Sequence, residues 1–152
     1  MERLRVPKRR VEVELLLLGS GRQRVAFFLG ECSSEHLGGE RLSDLLNGSA
    51  DFLPAIELGS DLPIFLGRSC IGAALIAGAE EPADDATLPT EHEVTIALTD
   101  GQELTGALSF VRPPDRSRIL DFLNDAPAFF PLVLGERLAL VNKRSVARVV
   151  AR

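Results

Sequence analysis

The stretch RLSDLLN at residues 41–47 returns as RILDFLN at residues 118–124, and this near-repetition decides the fold prediction. The tripeptide FLP at residues 52–54 also returns, as FFP at residues 129–131, at the same offset of 77 residues. An internal repeat indicates two copies of one supersecondary unit. The sequence therefore predicts a tandem duplication whose copies form a pseudo-two-fold pair.

Each copy is predicted to contain one short helix. Apolar residues recur three and four positions apart, which makes an apolar stripe on about two helical turns; they are Leu42, Leu45 and Leu46 in one copy, and Ile119, Phe122 and Leu123 in the other. Residues 38–39 and 115–117 precede the two helices, and the aspartate and serine of the second segment suit an N-cap. Asn47 and Asn124 are predicted as helix-end residues, since asparagine tolerates the left-handed cap conformation.

Strands are predicted on both sides of each helix. Residues 11–15 resemble residues 94–98, and both alternate in the way of a half-buried strand. Asp100-Gly101 predicts a tight hairpin turn, and the glycines around Ser20 are its counterpart. Return strands and later apolar runs follow at residues 24–29, 64–66, 71–77, 103–110, 138–141 and 146–150. Each copy then reads β-β-α-β-β-β, so the fold class is mostly β (α+β), with a small β-barrel-like unit.

The predicted domain organisation has three parts. Residues 1–78 form the first unit with a basic N-terminal arm, and residues 91–152 form the second. Residues 79–90 are acidic and rich in alanine and proline, which is typical of a mobile or exposed linker.

Composition predicts a soluble, cytoplasmic protein. The 152 residues are 45% hydrophobic and 26% charged, with a net charge of −5. Residues 71–79 form an apolar run far shorter than the roughly 20 residues of a membrane helix. Residues 1–10 lack the apolar centre of a signal peptide. Cys32 and Cys70 do not make a disulfide framework and are expected to be thiols.

Catalytic chemistry leaves little trace in the sequence. We expect no catalytic residues, no cofactor and no metal, because no nucleophile or phosphate-loop motif is present. Cys32 and His36 could supply two zinc ligands, but a zinc site needs three or four.

Asp44 and Asp121 are the one candidate acid pair. They could meet at an interface, share a proton and serve a small hydrolase or isomerase. Each also has an arginine three residues earlier, Arg41 or Arg118, and an i,i+3 ion pair is the favoured interpretation.

Aromatic and basic residues suggest partner surfaces. The pairs at residues 27–28 and 129–130 could stack on bases, although alternation sends one ring of each pair inward and core packing is favoured. The basic residues near both ends of the chain are favoured as a solvated surface with flexible ends. The alternative is that they face an anionic partner, such as RNA or an acidic protein patch, through Arg9, Arg10, Lys143 and Arg144.

The repeated motif resembles a family of bacterial domains of unknown function with the pattern RLSDLLN, then FLP, then VNK. Residues 118–146 match it best, and the first copy departs from it at Gly67-Arg68, where the second has Asn142-Lys143. The resemblance implies a compact strand-hairpin and helix domain and transfers no catalytic residues. The strand count also looks like an SH3-like or Sm-like small barrel, an analogy of fold that does not fix function.

These observations favour a non-enzymatic binding or adaptor module that acts through protein–protein contacts, with a protein partner or self-association. The alternative is an Sm-like RNA- or nucleotide-binding module, for which RNA would be the partner and affinity would fall steeply with salt. No membrane contact is expected.

Overall fold

A computed structural model of the chain describes residues 8–31, 39–81, 90–110 and 118–152. Each half of the chain contains two strands, a helix and three strands, in the order that the sequence predicts. The strands are β1 (Lys8–Leu17), β2 (Gly21–Gly30), β3 (Phe52–Glu57), β4 (Pro63–Gly67), β5 (Ile71–Ala77), β6 (Thr90–Leu98), β7 (Glu103–Phe110), β8 (Phe129–Leu134), β9 (Arg137–Asn142) and β10 (Val146–Ala151). The helices are α1 (Leu42–Leu46) and α2 (Ile119–Asp125).

All ten strands join one antiparallel sheet that is not closed. Its order is β10-β6-β7-β8-β9-β5-β1-β2-β3-β4. The first five strands in this list come from the second half of the chain and the last five from the first half. The halves meet where β9 pairs with β5, from Ala73 opposite Val141 to Ala77 opposite Arg137. Strands β10 and β4 are therefore the outermost strands of the described sheet.

Two apolar cores flank this junction, and each takes residues from both halves. Phe129 and Leu140 of the second half belong to the first core, whereas Leu16, Ala73 and Leu75 of the first half belong to the second. Since successive side chains of a strand point to opposite faces, strands β5 and β9 contribute one face to each core.

Helix α1 is held at both ends by residues outside it. The carboxylate of Glu81, 7% exposed, accepts hydrogen bonds from the backbone N–H groups of Leu42 and Ser43 at 2.8 and 3.2 Å. At the other end the guanidinium of Arg68 donates to the carbonyls of Leu45 and Leu46. These groups satisfy helix-end donors and acceptors that five residues cannot pair internally.

The boundaries of strands and helices predicted from the sequence are confirmed with small shifts, but four details differ. The caps that precede the helices are Arg41 and Arg118. Asn47 is a C-cap with φ of −86°, so it is not left-handed, and Asn124 lies inside α2. Glu81 is buried, unlike the exposed linker expected at residues 79–90; residues 82–89 of that linker lie outside the described part.

The fourth difference is the alignment of the first strands. Leu17 pairs with Ile71 at the start of β5, and Leu98 pairs with Val146 at the start of β10. The sheet therefore relates Leu17 to Leu98, whereas the sequence comparison aligned Leu15 with Leu98. A shift of two residues keeps every side chain on the same face, which is why the alternating pattern could not detect it.

Candidate functional site

The outermost strand β4 carries an exposed apolar face. Phe52 of β3 is 65% exposed and Phe65 of β4 is 74% exposed. Pro54 lies two residues after Phe52 on β3, is opposite Phe65 in the β3–β4 register and is also exposed. We call Phe52, Pro54 and Phe65 the apolar edge face. Aromatic rings in water next to an unpaired strand edge typically mark an interaction site.

The sequence analysis missed this face, although one signal was present. Strands β3 and β4 read FLPAIE and PIFLG, so apolar residues occupy both faces. A half-buried strand alternates apolar with polar residues, and strands with two apolar faces are covered on both sides. The composition of β3 and β4 therefore predicts that both faces are buried, whereas their outer residues are exposed.

The matching residues in the second half of the chain are covered. The repeat offsets of 77 and 75 residues place Phe129 at the position of Phe52 and Leu140 at that of Phe65. The registers agree, since Pro131 is opposite Leu140 as Pro54 is opposite Phe65. Phe129 is 2% exposed and Leu140 is 1% exposed, because both pack into the core of the first half. Phe129 and Phe130 are thus both buried, against the expectation that one ring of the pair points outward.

Hydrogen bonds secure the covered hairpin to the first half. The side-chain amide of Asn47 donates to the Phe129 carbonyl at 3.2 Å, and its oxygen accepts from the Phe129 N–H at 2.7 Å. This two-bond contact joins the end of α1 to the start of β8. The repeat places Asn124, which is exposed at the end of α2, at the position of Asn47.

The opposite outermost strand, β10, is also exposed. Its Val150 is 45% exposed, whereas Leu75, at the same position of β5, is 3% exposed. Leu120 of α2 is 60% exposed. Five of the six large hydrophobic side chains found exposed in the described residues therefore belong to the β3–β4 hairpin, to α2 or to β10; they are Phe52, Leu62, Phe65, Leu120 and Val150.

The four basic residues predicted to bind an anionic partner are not brought together. Arg9 and Arg10 lie near the start of β1, and the Arg9 guanidinium contacts Glu80 at 2.9 Å. Lys143 and Arg144 follow β9. Strand β5 lies between β9 and β1, and the register brings the end of β9 level with the end of β1, away from Arg9 and Arg10. Strand length separates the two pairs by roughly 20 Å or more.

Lys143 has a structural partner instead. Its ammonium donates to the carbonyls of Asn124 and Ala126 at 3.0 and 2.9 Å, at the end of α2. Arg68 does the same for α1, and the 75-residue offset aligns Arg68 with Lys143. Both basic residues thus stabilise the negative end of a helix. Arg144 is exposed, and its backbone N–H donates to Asn142.

The two candidate acids occupy ordinary helical contacts. Asp121 lies 3.4 Å from the guanidinium of Arg118, which confirms the predicted i,i+3 pair. Asp44 accepts a hydrogen bond from the backbone N–H of Arg41 at 2.8 Å. Since each acid serves its own helix start, this arrangement favours the structural interpretation.

Other possible sites are less developed. A shallow cleft at β6, β7 and β8 has Glu91, Glu93 and Gly106 in its lining. Within the four described ranges, no group of three or more His, Cys, Asp or Glu residues could hold a metal ion. Cys32 and His36 lie outside these ranges. In the same part of the chain, no helix has the length and hydropathy to cross a bilayer.

Asp100 links the tips of the two long hairpins. Its carboxylate accepts from the Gly19 N–H at 2.9 Å and from the Gln102 N–H at 3.1 Å, and these hydrogen bonds lower the pKa of Asp100 below its ordinary value of 3.8. Because the pKa of Asp100 is lower in the folded state than in the unfolded state, its carboxylate stabilises the fold at pH values above the unfolded-state pKa. This stabilisation is lost as the pH falls through the folded-state pKa.

We therefore expect Asp100→Asn to be less stable than the unchanged protein at pH 7 and to approach it in stability as the pH falls below about 3.8. Urea unfolding of both proteins at pH 7 and pH 3 measures this difference. A stability difference that stays constant between the two pH values would contradict the assigned role of the carboxylate.

Comparison of the chain with protein-family models, with curated proteins and with solved structures found no match.

Proposed function

We propose that this protein is a non-catalytic binding module that acts through protein–protein contacts at the β4 edge. The observation that carries the proposal is the apolar edge face, above all Phe65, with 74% of its surface exposed on an outermost strand. An edge strand offers unpaired backbone groups that an incoming strand can bind, and apolar side chains beside it add affinity and specificity.

The same face is less suited to a polar ligand. Phe52, Pro54 and Phe65 offer no hydrogen-bonding side-chain group, whereas pockets for small polar molecules need a few convergent ones. An aromatic cluster on a strand edge instead matches the anchors of protein interfaces, where phenylalanine and other aromatic residues are enriched.

We also propose that the two halves are a tandem duplication of one small barrel-like unit, with SH3-like or Sm-like resemblance in strand order. Three observations support this proposal: the shared strand order in each half, the matching registers of the two proline-containing hairpins, and the parallel roles of Arg68 and Lys143. The pseudo-two-fold stays a prediction, and the observed junction joins different strands of the two units, β9 and β5.

The Sm-like RNA- or nucleotide-binding alternative, the cytoplasmic location and the resemblance to the bacterial domain family also stay predictions. For the RNA alternative, binding that weakens steeply with salt is the expected result. The separation of Arg9 and Arg10 from Lys143 and Arg144 means that one short RNA segment would not touch all four.

A photo-crosslinking phenylalanine derivative tests the main proposal when it replaces Phe65 in cells that produce the protein. Irradiation is expected to join the protein to another polypeptide chain through this position. The matched control carries the same group at Glu103, which is exposed on β7 away from the β4 edge, and is expected to give no such product. Products equal at both positions, or none at position 65, would refute the proposal.

A further inference from the structure

We infer that the partner of the β4 edge is the β10 edge of a second copy of this chain, so that chains associate head to tail by strand pairing. This inference rests on the proposed function and names the partner of the same site. Its basis is that the molecule already contains one such junction, between β9 and β5.

The internal junction supplies a register. Strand β9 is the fourth strand of the second half, and β5 is the fifth strand of the first half; their counterparts are β4 and β10, the two outermost strands. In the internal junction Ala74 is opposite Leu140 and Leu75 is opposite Ala139. With the 75-residue offset, Val149 of one copy would lie opposite Phe65 of the next, and Val150 opposite Ile64.

The apolar edge face has the composition of a covered surface. Phe129 and Leu140, its counterparts, are buried in the core of the other half. Covering Phe52 and Phe65 in the same way would remove two large aromatic side chains from water, which favours association. A second junction would therefore cover the largest exposed apolar side chains of the described molecule.

The opposite edge offers matching groups. In the internal junction the Asn47 amide holds both backbone polar groups of Phe129. Asn124 stands at the equivalent position of α2, and none of the hydrogen bonds among the described residues uses its side-chain amide. In a head-to-tail contact this amide would hold the backbone of Phe52. Val150 of β10 and Leu120 of α2 are both exposed.

Charge also favours joining these two edges. Exposed Asp51 precedes β3 and exposed Asp61 lies in the turn before β4, whereas exposed Arg148 and Arg152 lie on and after β10. The inferred register places Arg152 opposite Leu62, next to Asp61. Opposite charges across an interface speed encounter and fix register. Pairing β4 with another β4 would instead bring the two acidic hairpins together.

One position departs from the internal template. Arg148 occupies the place of the fully buried Ala73, and Ala55 occupies that of Leu132. At this position the arginine would extend its charged end to the rim of the junction. The second junction is thus more polar than the internal one, and we expect it to be weaker.

A junction between different surfaces of the same molecule is heterologous, so each added chain presents a fresh β4 edge and a fresh β10 edge. Such a contact forms a ring if the rotation between copies closes, and a filament if it does not. In either arrangement the number of chains in an assembly grows with concentration, and only in a ring does this growth stop at closure.

Cysteine pairing tests the inferred register directly. In a background of Cys32→Ser and Cys70→Ser, one protein carries Ile64→Cys and a second carries Val150→Cys. Under mild oxidation the mixture is expected to form disulfide-linked heterodimers, since directly paired strand positions lie within disulfide range. Each protein alone is the control, because β4–β4 or β10–β10 pairing would link identical copies. Dominant linkage in a single-protein sample would overturn the inference.

Light scattering of the unchanged protein provides the second measurement. The mean mass is expected to rise with concentration, and Phe65→Asp or Asn124→Ala is expected to shift this rise to at least tenfold higher concentration. Asn124→Ala should fold normally because its amide is exposed. A mass that stays monomeric at high concentration, together with no heterodimer, overturns the inference.

The two proposals fail in different ways. If the purified chain is monomeric but the crosslinking group at position 65 captures a different protein in cells, the partner inference is wrong and the binding function stands. If position 65 captures no protein in cells and the purified chain does not associate, both are wrong. Capture of the same chain at position 65, with heterodimers in the cysteine mixture, supports both.

Discussion

Replacing Phe129 with alanine is expected to lower the free energy of unfolding by about 3–5 kcal/mol, the range for a large aromatic residue lost from a core. Phe129 is 2% exposed and fills the first core from the second half of the chain. The substitution removes the ring and leaves a cavity at the β5·β9 junction. It is therefore expected to loosen the first core where the second half of the chain packs into it.

Phe52→Ala is the matched control, because the repeat places Phe52 at the same position of the other hairpin. Its ring is 65% exposed, so the change in the free energy of unfolding is expected to be within about 0.5 kcal/mol, as for most surface substitutions. Urea unfolding followed by far-ultraviolet circular dichroism suits a chain without Trp or Tyr. The protein should be dilute enough to be monomeric by light scattering. Equal losses for the two variants would contradict the buried junction.

Gly106→Ala is expected to destabilise the fold by about 1–3 kcal/mol or more, the cost of forcing extra volume into a packed region. A Cβ atom added at Gly106 would lie 2.4 Å from the Val133 carbonyl oxygen. Backbone cannot move aside as a flexible side chain can. Since β7 pairs with β8 through Ala107 opposite Val133, the substitution pushes these two strands apart where they are bonded.

Gly67→Ala serves as the control for this effect. An added Cβ there meets its nearest neighbour, the Cys70 sulfur, at 3.7 Å, which is ordinary contact. Its φ is −66°, a value that alanine adopts without strain. The substitution is expected to be neutral or stabilising by up to about 1 kcal/mol, because alanine restricts the unfolded chain. Thermal unfolding of both variants decides the matter, and a Gly106→Ala protein as stable as the unchanged chain would count against the close approach of β7 and β8.

Local pattern was enough to predict the elements of this fold. The stripe of Leu42, Leu45 and Leu46 and the turn at Asp100-Gly101 are short-range signals, and the structure has a helix and a hairpin at these places. Pro54 and Pro131 are typical of strand edges or bends. Both lie in strands, outside the few residues that pair β2 with β3 and β7 with β8, which fits a residue that cannot donate to a ladder.

What the sequence could not predict depends on contacts between distant residues. Alternation predicted one inward ring at Phe129-Phe130, but the β5·β9 pairing covers both faces of this hairpin. The burial of Glu81 also depends on α1, 38 or more residues earlier in the chain. The candidate site is visible only as a difference between the hairpins, because the same kind of residue is covered in one and exposed in the other.

The attachment of α1 at both ends constrains when this part of the protein can form during synthesis. Five residues do not make a stable helix in water, and the two groups that hold α1, on Arg68 and Glu81, come later in the chain. Until residue 68 has left the ribosome, residues 42–46 lack both supports, and until residue 81 has left it, they still lack the one at the start of the helix. Helix α1 is therefore completed only when the segment after β5 reaches back to its start, and the first core stays open until Phe129 and Leu140 of the second half join it.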